Sequence, residues 1–81
     1  MNPAARVQSA IDLLDRIIAA ARDQGGSADT ITARWFAERR YAGSKDRRAI
    51  RELVYDAIRL LGERPESGRA AILALARQRP E

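Results

Sequence analysis

An apolar repeat with spacings of three and four residues constrains the fold of this chain more than any other feature. Its members are Ile50, Leu53, Val54, Ala57, Ile58 and Leu61. This spacing places all six side chains on one face of an α-helix, whereas a strand would divide them between two faces. Ser44 is predicted to cap the start of the helix, and Gly62 followed by Arg64-Pro65 is predicted to end it.

A second amphipathic helix is predicted at the start of the chain. Asn2 can act as its cap, and Pro3 suits the first helical position. Its apolar face repeats at the same spacing through Val7, Ala10, Ile11, Leu14, Ile18 and Ala21. The helix is expected to end near Asp23, because Gly25-Gly26 follows.

Two shorter helices complete the predicted fold. One begins near Ser27 or Asp29 and reaches Arg39 or Arg40, and the other runs from Ser67 towards Pro80. A tight link, Tyr41-Ala42-Gly43, joins the first of these to the helix that begins near Ser44. No segment has the alternating pattern of a strand. The 81 residues therefore predict one all-α domain, a compact bundle of about four helices.

Positive charge is concentrated in the segment 34–51, which we call the basic window. It holds seven of the fifteen basic residues and two of the eleven acidic ones, so its net charge is +5. The other residues carry eight basic and nine acidic side chains, which sum to −1. Basic side chains interleaved with aromatic ones suit a phosphate backbone and its unstacked bases, so the basic window predicts a nucleic-acid partner.

Catalytic and cofactor motifs are missing from the sequence. The chain has no histidine and no cysteine, and three of its four serines, Ser27, Ser44 and Ser67, occupy positions expected of helix caps. Asp12 and Asp15 lie close together on a solvated face beside Arg16, which is expected to pair with Asp12, so a catalytic role is not predicted. Gly25-Gly26 is not a phosphate-binding loop, and no metal or cofactor site is predicted. No apolar run approaches the ~18 residues that a membrane span needs.

The candidate RNA-binding residues lie in the second half of the basic window and one helical turn beyond it. They are Arg39, Arg40, Lys45, Arg47, Arg48, Arg51 and Tyr55. A helical wheel places Tyr55 away from the apolar face, as an exposed aromatic between guanidinium groups. Trp35 and Phe36 are expected in the core, since their short helix needs a buried face.

Two other functions remain open at this point. Two helices around a short glycine-containing turn also suit a small helix-turn-helix DNA-binding domain. The helix from Lys45 to Leu61 has no Asn, Gln, Ser or Thr to read base edges, which favours backbone and shape contacts with structured RNA. The third possibility is a protein-interaction module whose basic face meets an acidic surface or a catalytic domain.

A family resemblance covers nearly the whole chain. The chain resembles the N-terminal NusB-like domain of the RsmB/Sun family in the run RRYAGSKDRRAIRELVYDAIR, from Arg39 to Arg59. ARVQSAIDLLDRII (Ala5–Ile18) and PESGRAAILALAR (Pro65–Arg77) also fit this domain. The part from Asp46 to Tyr55 is the most specific, and it is shared in outline with the antitermination factor NusB.

The resemblance implies a function that composition and spacing do not. RsmB/Sun proteins are S-adenosylmethionine-dependent 16S ribosomal RNA cytosine-C5 methyltransferases, with a cysteine nucleophile in a separate C-terminal Rossmann-like domain. Residues 1–81 contain no cysteine, so the resemblance implies a non-catalytic NusB-like RNA-binding domain without a cofactor of its own. It also implies an N-terminal fragment of a longer cytoplasmic enzyme, with ribosomal RNA and the methyltransferase domain as partners. The oligomeric state stays open.

Overall fold

The computed structural model describes residues 1–23, 25–61 and 66–78, and these residues form four helices and no strand. The helices are α1 (Pro3–Arg22), α2 (Ala28–Ala37), α3 (Ser44–Leu61) and α4 (Gly68–Gln78). The prediction of an all-α bundle is therefore confirmed. Within the same residues, no helix has the length and apolar character needed to cross a membrane.

Three of the four predicted helix starts are capped as expected. The side chains of Asn2, Ser27 and Ser67 accept hydrogen bonds from the backbone N–H groups three residues later, at 2.7, 3.2 and 3.1 Å. Ser44 differs, because it is the first residue of α3 and the carbonyl of Gly43 accepts from Arg47 N at 2.9 Å. The cap position of α3 thus belongs to Gly43, one residue earlier than predicted.

The ends of the first two helices follow from their backbone hydrogen bonds. Asp23 ends α1, and Gly26 adopts a φ of 132°, a conformation that favours glycine. α2 ends at Ala37, earlier than the predicted Arg39 or Arg40, because Arg39 N donates to Phe36 O at 3.0 Å and tightens the last turn. The predicted end signals at Gly62, Arg64-Pro65 and Pro80 lie outside the described residues.

The core forms around α1, which packs against each of the other three helices, while α3 also packs against α4. Its buried members come from all four helices and are Ala10, Leu13, Leu14, Trp35, Phe36, Ile50, Val54, Ala57, Ala71, Ile72 and Leu75. Trp35 and Phe36 are each 2% exposed and meet edge to face, with ring centroids 5.1 Å apart. Their predicted place in the core is confirmed.

Asp15 joins α1 to the start of α4. Its Oδ1 accepts a hydrogen bond from the backbone N–H of Gly68 at 2.6 Å, which satisfies a donor that the helix itself leaves open. Gly68 is buried, and a Cβ at this position would lie 2.2 Å from the carbonyl oxygen of Ile11. Only glycine allows α4 to approach α1 this closely. The solvated face expected for Asp15 thus includes a helix-capping contact.

The predicted pair of Asp12 with Arg16 is replaced by other partners. Asp12 accepts a hydrogen bond from Gln8 Nε2 at 3.0 Å, and Arg16 lies 3.6 Å from Glu38, just after α2. The prediction was wrong because it considered one helix alone. The packing of α2 against α1 offers Arg16 a carboxylate from another helix.

Candidate nucleic-acid interface

The turn between α2 and α3, residues 38–43, sits in the middle of the basic window. It is held by the buried side chain of Ala42 and by two hydrogen bonds of its backbone. Ala42 N donates to Arg39 O at 3.1 Å, and Ala42 O accepts from Arg47 Nε at 2.9 Å. The turn therefore fixes the end of α2 relative to the start of α3.

Three arginines of the basic window lie against the Trp35–Phe36 pair, and we call them the ring-bound arginines: Arg39, Arg47 and Arg51. The guanidinium carbon of Arg39 lies 4.0 Å from the Trp35 ring centroid, and its Nη1 donates to Trp35 O at 3.1 Å. The guanidinium carbons of Arg47 and Arg51 lie 5.5 and 5.1 Å from the Phe36 ring centroid. These are cation–π distances, so the three side chains cover the aromatic pair as well as carrying charge.

Four other cations of the basic window have exposed side chains, and we call them the outer cations. They are Arg34, Arg40, Lys45 and Arg48. Among the described residues, no hydrogen bond or ion pair engages any of these four side chains. They flank the α2–α3 turn in sequence, with two before it or in it and two in the first helical turns of α3. Their charges are available to an anionic partner.

Both acidic residues of the basic window have cationic partners. Asp46 accepts from Arg6 Nε at 2.9 Å and lies 3.2 Å from the Met1 ammonium group. The hydrogen bond from Arg6, aided by the Met1 ammonium group, lowers the pKa of Asp46 against the opposing effect of desolvation. Glu38 lies 3.6 Å from Arg16 and 3.8 Å from Arg39. Neither carboxylate is engaged with an outer cation, so the positive field around the turn persists.

Tyr55 does not have the exposed position predicted for it. The ring is half-buried and packs against the core, and its hydroxyl donates a hydrogen bond to the Asp29 carboxylate at the start of α2. Burial and the Asp29 carboxylate raise the pKa of Tyr55, against smaller lowering effects of Thr32 and Arg51. The helical wheel of α3 could not show this contact, because α2 lies beside a face that would otherwise meet solvent.

The seven predicted binding residues therefore fall into two groups. Arg40, Lys45, Arg48 and Arg51 are exposed, although Arg51 also lies over the Phe36 ring. Arg39, Arg47 and Tyr55 are half-buried and engaged within the protein. Six members of the predicted set thus lie in the α2–α3 turn or the first two turns of α3, whereas Tyr55 lies farther along α3 opposite the start of α2. Only part of the set is open to a ligand.

Sequence reasoning missed Tyr41, whose side chain is 76% exposed at the α2–α3 turn. Its position offered a signal, because it lies beside Arg40 in a predicted link and belongs to no apolar stripe. Arg34 was also left out of the predicted set, although it is exposed and carries an outer charge.

These features define a small all-helical protein in which the four outer cations are exposed in or beside one interhelical turn, and we call this surface the basic face. No group of three or more His, Cys, Asp or Glu side chains in the described ranges is arranged to hold a metal ion. Comparisons with protein-family models, curated proteins and solved structures find no match. The resemblance to the NusB-like domain of the RsmB/Sun family therefore stays a prediction.

Proposed function

We propose that this chain is a non-catalytic RNA-binding domain that holds structured RNA through its basic face. One observation carries the proposal: the four outer cations are exposed around a fixed turn, while the acids of the basic window pair with other cations. Like charges gathered without a partner repel each other, and phosphate groups would relieve that repulsion. A phosphate backbone supplies such anions at regular intervals.

RNA is favoured over duplex DNA by the side chains of α3. From Lys45 to Leu61 the helix offers charge but none of the amides or hydroxyls that read base edges in a major groove. Backbone and shape contacts are the usual basis of structured RNA recognition. A small DNA-binding domain is therefore the less favoured nucleic-acid reading.

The family resemblance supplies the finer part of the proposal. If the run from Arg39 to Arg59 reflects common ancestry with RsmB/Sun proteins, the partner is 16S ribosomal RNA in the cytoplasm. The domain then serves an S-adenosylmethionine-dependent cytosine-C5 methyltransferase domain, which binds the cofactor and performs the chemistry. The role of the chain is to raise the local concentration of RNA near that catalytic domain.

A salt titration of binding tests the proposal with an RNA hairpin, a DNA duplex and an unstructured RNA strand. Tightest binding to the hairpin is expected, with log K falling against log salt at a slope of about −3 to −4 if the four outer cations each meet a phosphate. The double variant Arg40→Ala/Arg48→Ala should reduce that slope by about 1.5. Hairpin binding no tighter than duplex binding would contradict the preference for RNA.

A matched control removes the same charge from another part of the molecule. Arg69 and Arg77 are exposed on α4, outside the basic window. The double variant Arg69→Ala/Arg77→Ala should leave the salt slope unchanged, although it lowers the net charge equally. Equal effects of the two double variants would mean that net charge, and not the basic face, drives binding.

A protein-interaction module is the second candidate, and one observation favours it. Leu60 and Leu73 are 39% and 50% exposed on α3 and α4, two helices that pack against each other. Large apolar side chains that are exposed are typical of a surface that binds another protein, which here could be a catalytic domain. Absence of binding to any nucleic acid at low salt would favour this candidate over RNA binding.

A further inference from the structure

Tyr41 has the only exposed aromatic ring in the chain. All four aromatic residues lie in the described ranges, and of the other three Trp35 and Phe36 are buried while Tyr55 is half-buried. At 76% exposure, Tyr41 also exceeds every other exposed large hydrophobic side chain, of which the next is Leu73 at 50%. An aromatic ring this exposed makes few contacts that would explain it within the fold.

The backbone on both sides of Tyr41 is fixed. Ala42 is 4% exposed, and its N–H and carbonyl groups are bonded to Arg39 O and Arg47 Nε. Arg39 is itself held over the Trp35 ring. Tyr41 is therefore presented to solvent from a rigid turn, and its side chain has only two rotatable bonds to order on binding. This arrangement suits a contact surface that is organised before the ligand arrives.

The four outer cations lie within seven residues of Tyr41 in sequence. Arg40 precedes it directly, and Lys45 and Arg48 follow in the first turns of α3. A flat ring flanked by unpaired cations matches a nucleotide, whose base has an aromatic face and whose phosphates are anionic. An acidic protein surface would supply anions, but it does not pair each anion with an aromatic face as a nucleotide does.

We infer that Tyr41 stacks on an unpaired RNA base while the outer cations bind the adjacent phosphates. This inference rests on the proposed function and narrows its ligand to RNA with an unpaired nucleotide in a loop, bulge or end. A continuous A-form duplex keeps its bases stacked inside and offers a protein only phosphates, hydroxyls and base edges. Tyr41 thus confers preference for unpaired positions, and the outer cations confer affinity for any RNA.

Binding measurements on Tyr41→Ala and Tyr41→Phe test this inference against two RNAs, a hairpin with an unpaired loop and a fully paired RNA duplex with as many phosphates. Tyr41→Ala should weaken hairpin binding by about 5- to 150-fold, as expected for one lost stacking contact. Duplex affinity and the salt slope should stay unchanged, because stacking neutralises no phosphate. Tyr41→Phe keeps the ring and should bind like the original protein.

The control Leu73→Ala removes another exposed large side chain, on α4, and should leave the affinity for both RNAs unchanged. Hairpins with single abasic nucleotides in the loop then locate the partner base. At the stacked position, the abasic RNA should bind the original protein and Tyr41→Ala equally well. Unchanged duplex binding by Tyr41→Ala verifies in the same experiment that the variant is folded.

The outcomes separate this inference from the proposed function. If the original protein binds the hairpin with the expected salt slope and Tyr41→Ala binds equally well, the stacking role is overturned while RNA binding stands. Equal weakening for hairpin and duplex also overturns it, since the ring would then not select unpaired bases. If the original protein binds neither RNA, the proposed function fails and the inference fails with it.

Discussion

The ring-bound arginines and the outer cations come from the same 18-residue window, yet they differ in what surrounds them. Arg39, Arg47 and Arg51 lie 4.0–5.5 Å from the centroids of two buried aromatic rings. The four outer cations have exposed side chains without partners among the described residues. Residues of one chemical type therefore divide into a group that stabilises the turn and a group available to bind.

The largest expected effect comes from removing the ring that two arginines share. Phe36→Ala removes a buried side chain of the core and should lower the free energy of unfolding by about 3–5 kcal/mol. Arg47 and Arg51 also lose their contact surface, so the α2–α3 turn should loosen. Urea unfolding monitored by circular dichroism measures this loss of free energy. A loss below about 1 kcal/mol would contradict the role of the Phe36 ring in the core.

A variant at the other side of the molecule separates loss of stability from loss of the turn. Gly68→Ala places a Cβ against the backbone of Ile11 and should cost about 1–3 kcal/mol by overpacking between α1 and α4. In conditions where both variants are folded, RNA binding should fall for Phe36→Ala and persist for Gly68→Ala. Equal losses of binding would assign the effect to stability alone.

Two adjacent residues test the comparison most directly. Arg47→Ala removes a hydrogen bond to the Ala42 carbonyl and a cation–π contact with Phe36, and should cost about 1–2 kcal/mol of stability. Arg48→Ala removes an exposed side chain, and should change stability by less than about 0.5 kcal/mol. For RNA binding, Arg48→Ala should reduce the salt slope by about 0.7–0.9. If Arg47→Ala and Arg48→Ala unfold with the same free energy, the distinction between ring-bound arginines and outer cations would be wrong.

The two tyrosines give a smaller contrast of the same kind. Tyr55→Phe removes the hydroxyl that donates to the Asp29 carboxylate, and should cost about 1 kcal/mol or somewhat more. Tyr41→Phe removes a solvated hydroxyl and should leave the urea midpoint unchanged. If the urea midpoint of Tyr55→Phe equals that of the original protein, the hydrogen bond from Tyr55 to Asp29 contributes nothing to stability.

The smallest expected effect concerns Asp46, whose pKa is lowered by Arg6 and the Met1 ammonium group. Because the pKa in the folded protein lies below the ordinary value of 3.8, the ionised carboxylate stabilises the fold above that pH. This stabilisation is lost as the pH falls through the lowered pKa. Urea midpoints measured between pH 7 and pH 2 should decline less for Asp46→Asn than for the original protein, and identical declines would contradict the predicted linkage.

Helix positions were largely predictable because their signals are local. The caps at Asn2, Ser27 and Ser67 and the glycine pair after α1 act within a few residues of the helix ends. Errors arose at the α2–α3 turn, where Gly43 takes the cap position and α2 ends at Ala37. There the backbone bonds of Arg39 to Phe36 and of Arg47 to Gly43 define the helix ends, and Ala42 is buried, although no sequence pattern near the turn indicates this.

The candidate site was predictable only as a concentration of charge. Which side chains are free to bind a ligand depends on partners that are distant in sequence. Asp46 is engaged by Arg6, 40 residues away, and Tyr55 is engaged by Asp29, 26 residues away. For that reason the helical wheel placed Tyr55 in solvent, since it could not include the Asp29 carboxylate of α2. Tyr41 was overlooked because a turn residue has no periodic pattern to mark it.

The sequence by itself determined an all-helical chain with a basic window between its second and third helices, because helix periodicity and net charge are properties of short segments. Tertiary structure alone decided that Trp35 and Phe36 hold three arginines and that Tyr41 stands in solvent. The physical reason is that burial and pairing depend on which helices meet. A side chain becomes a binding group only where packing leaves it without a partner.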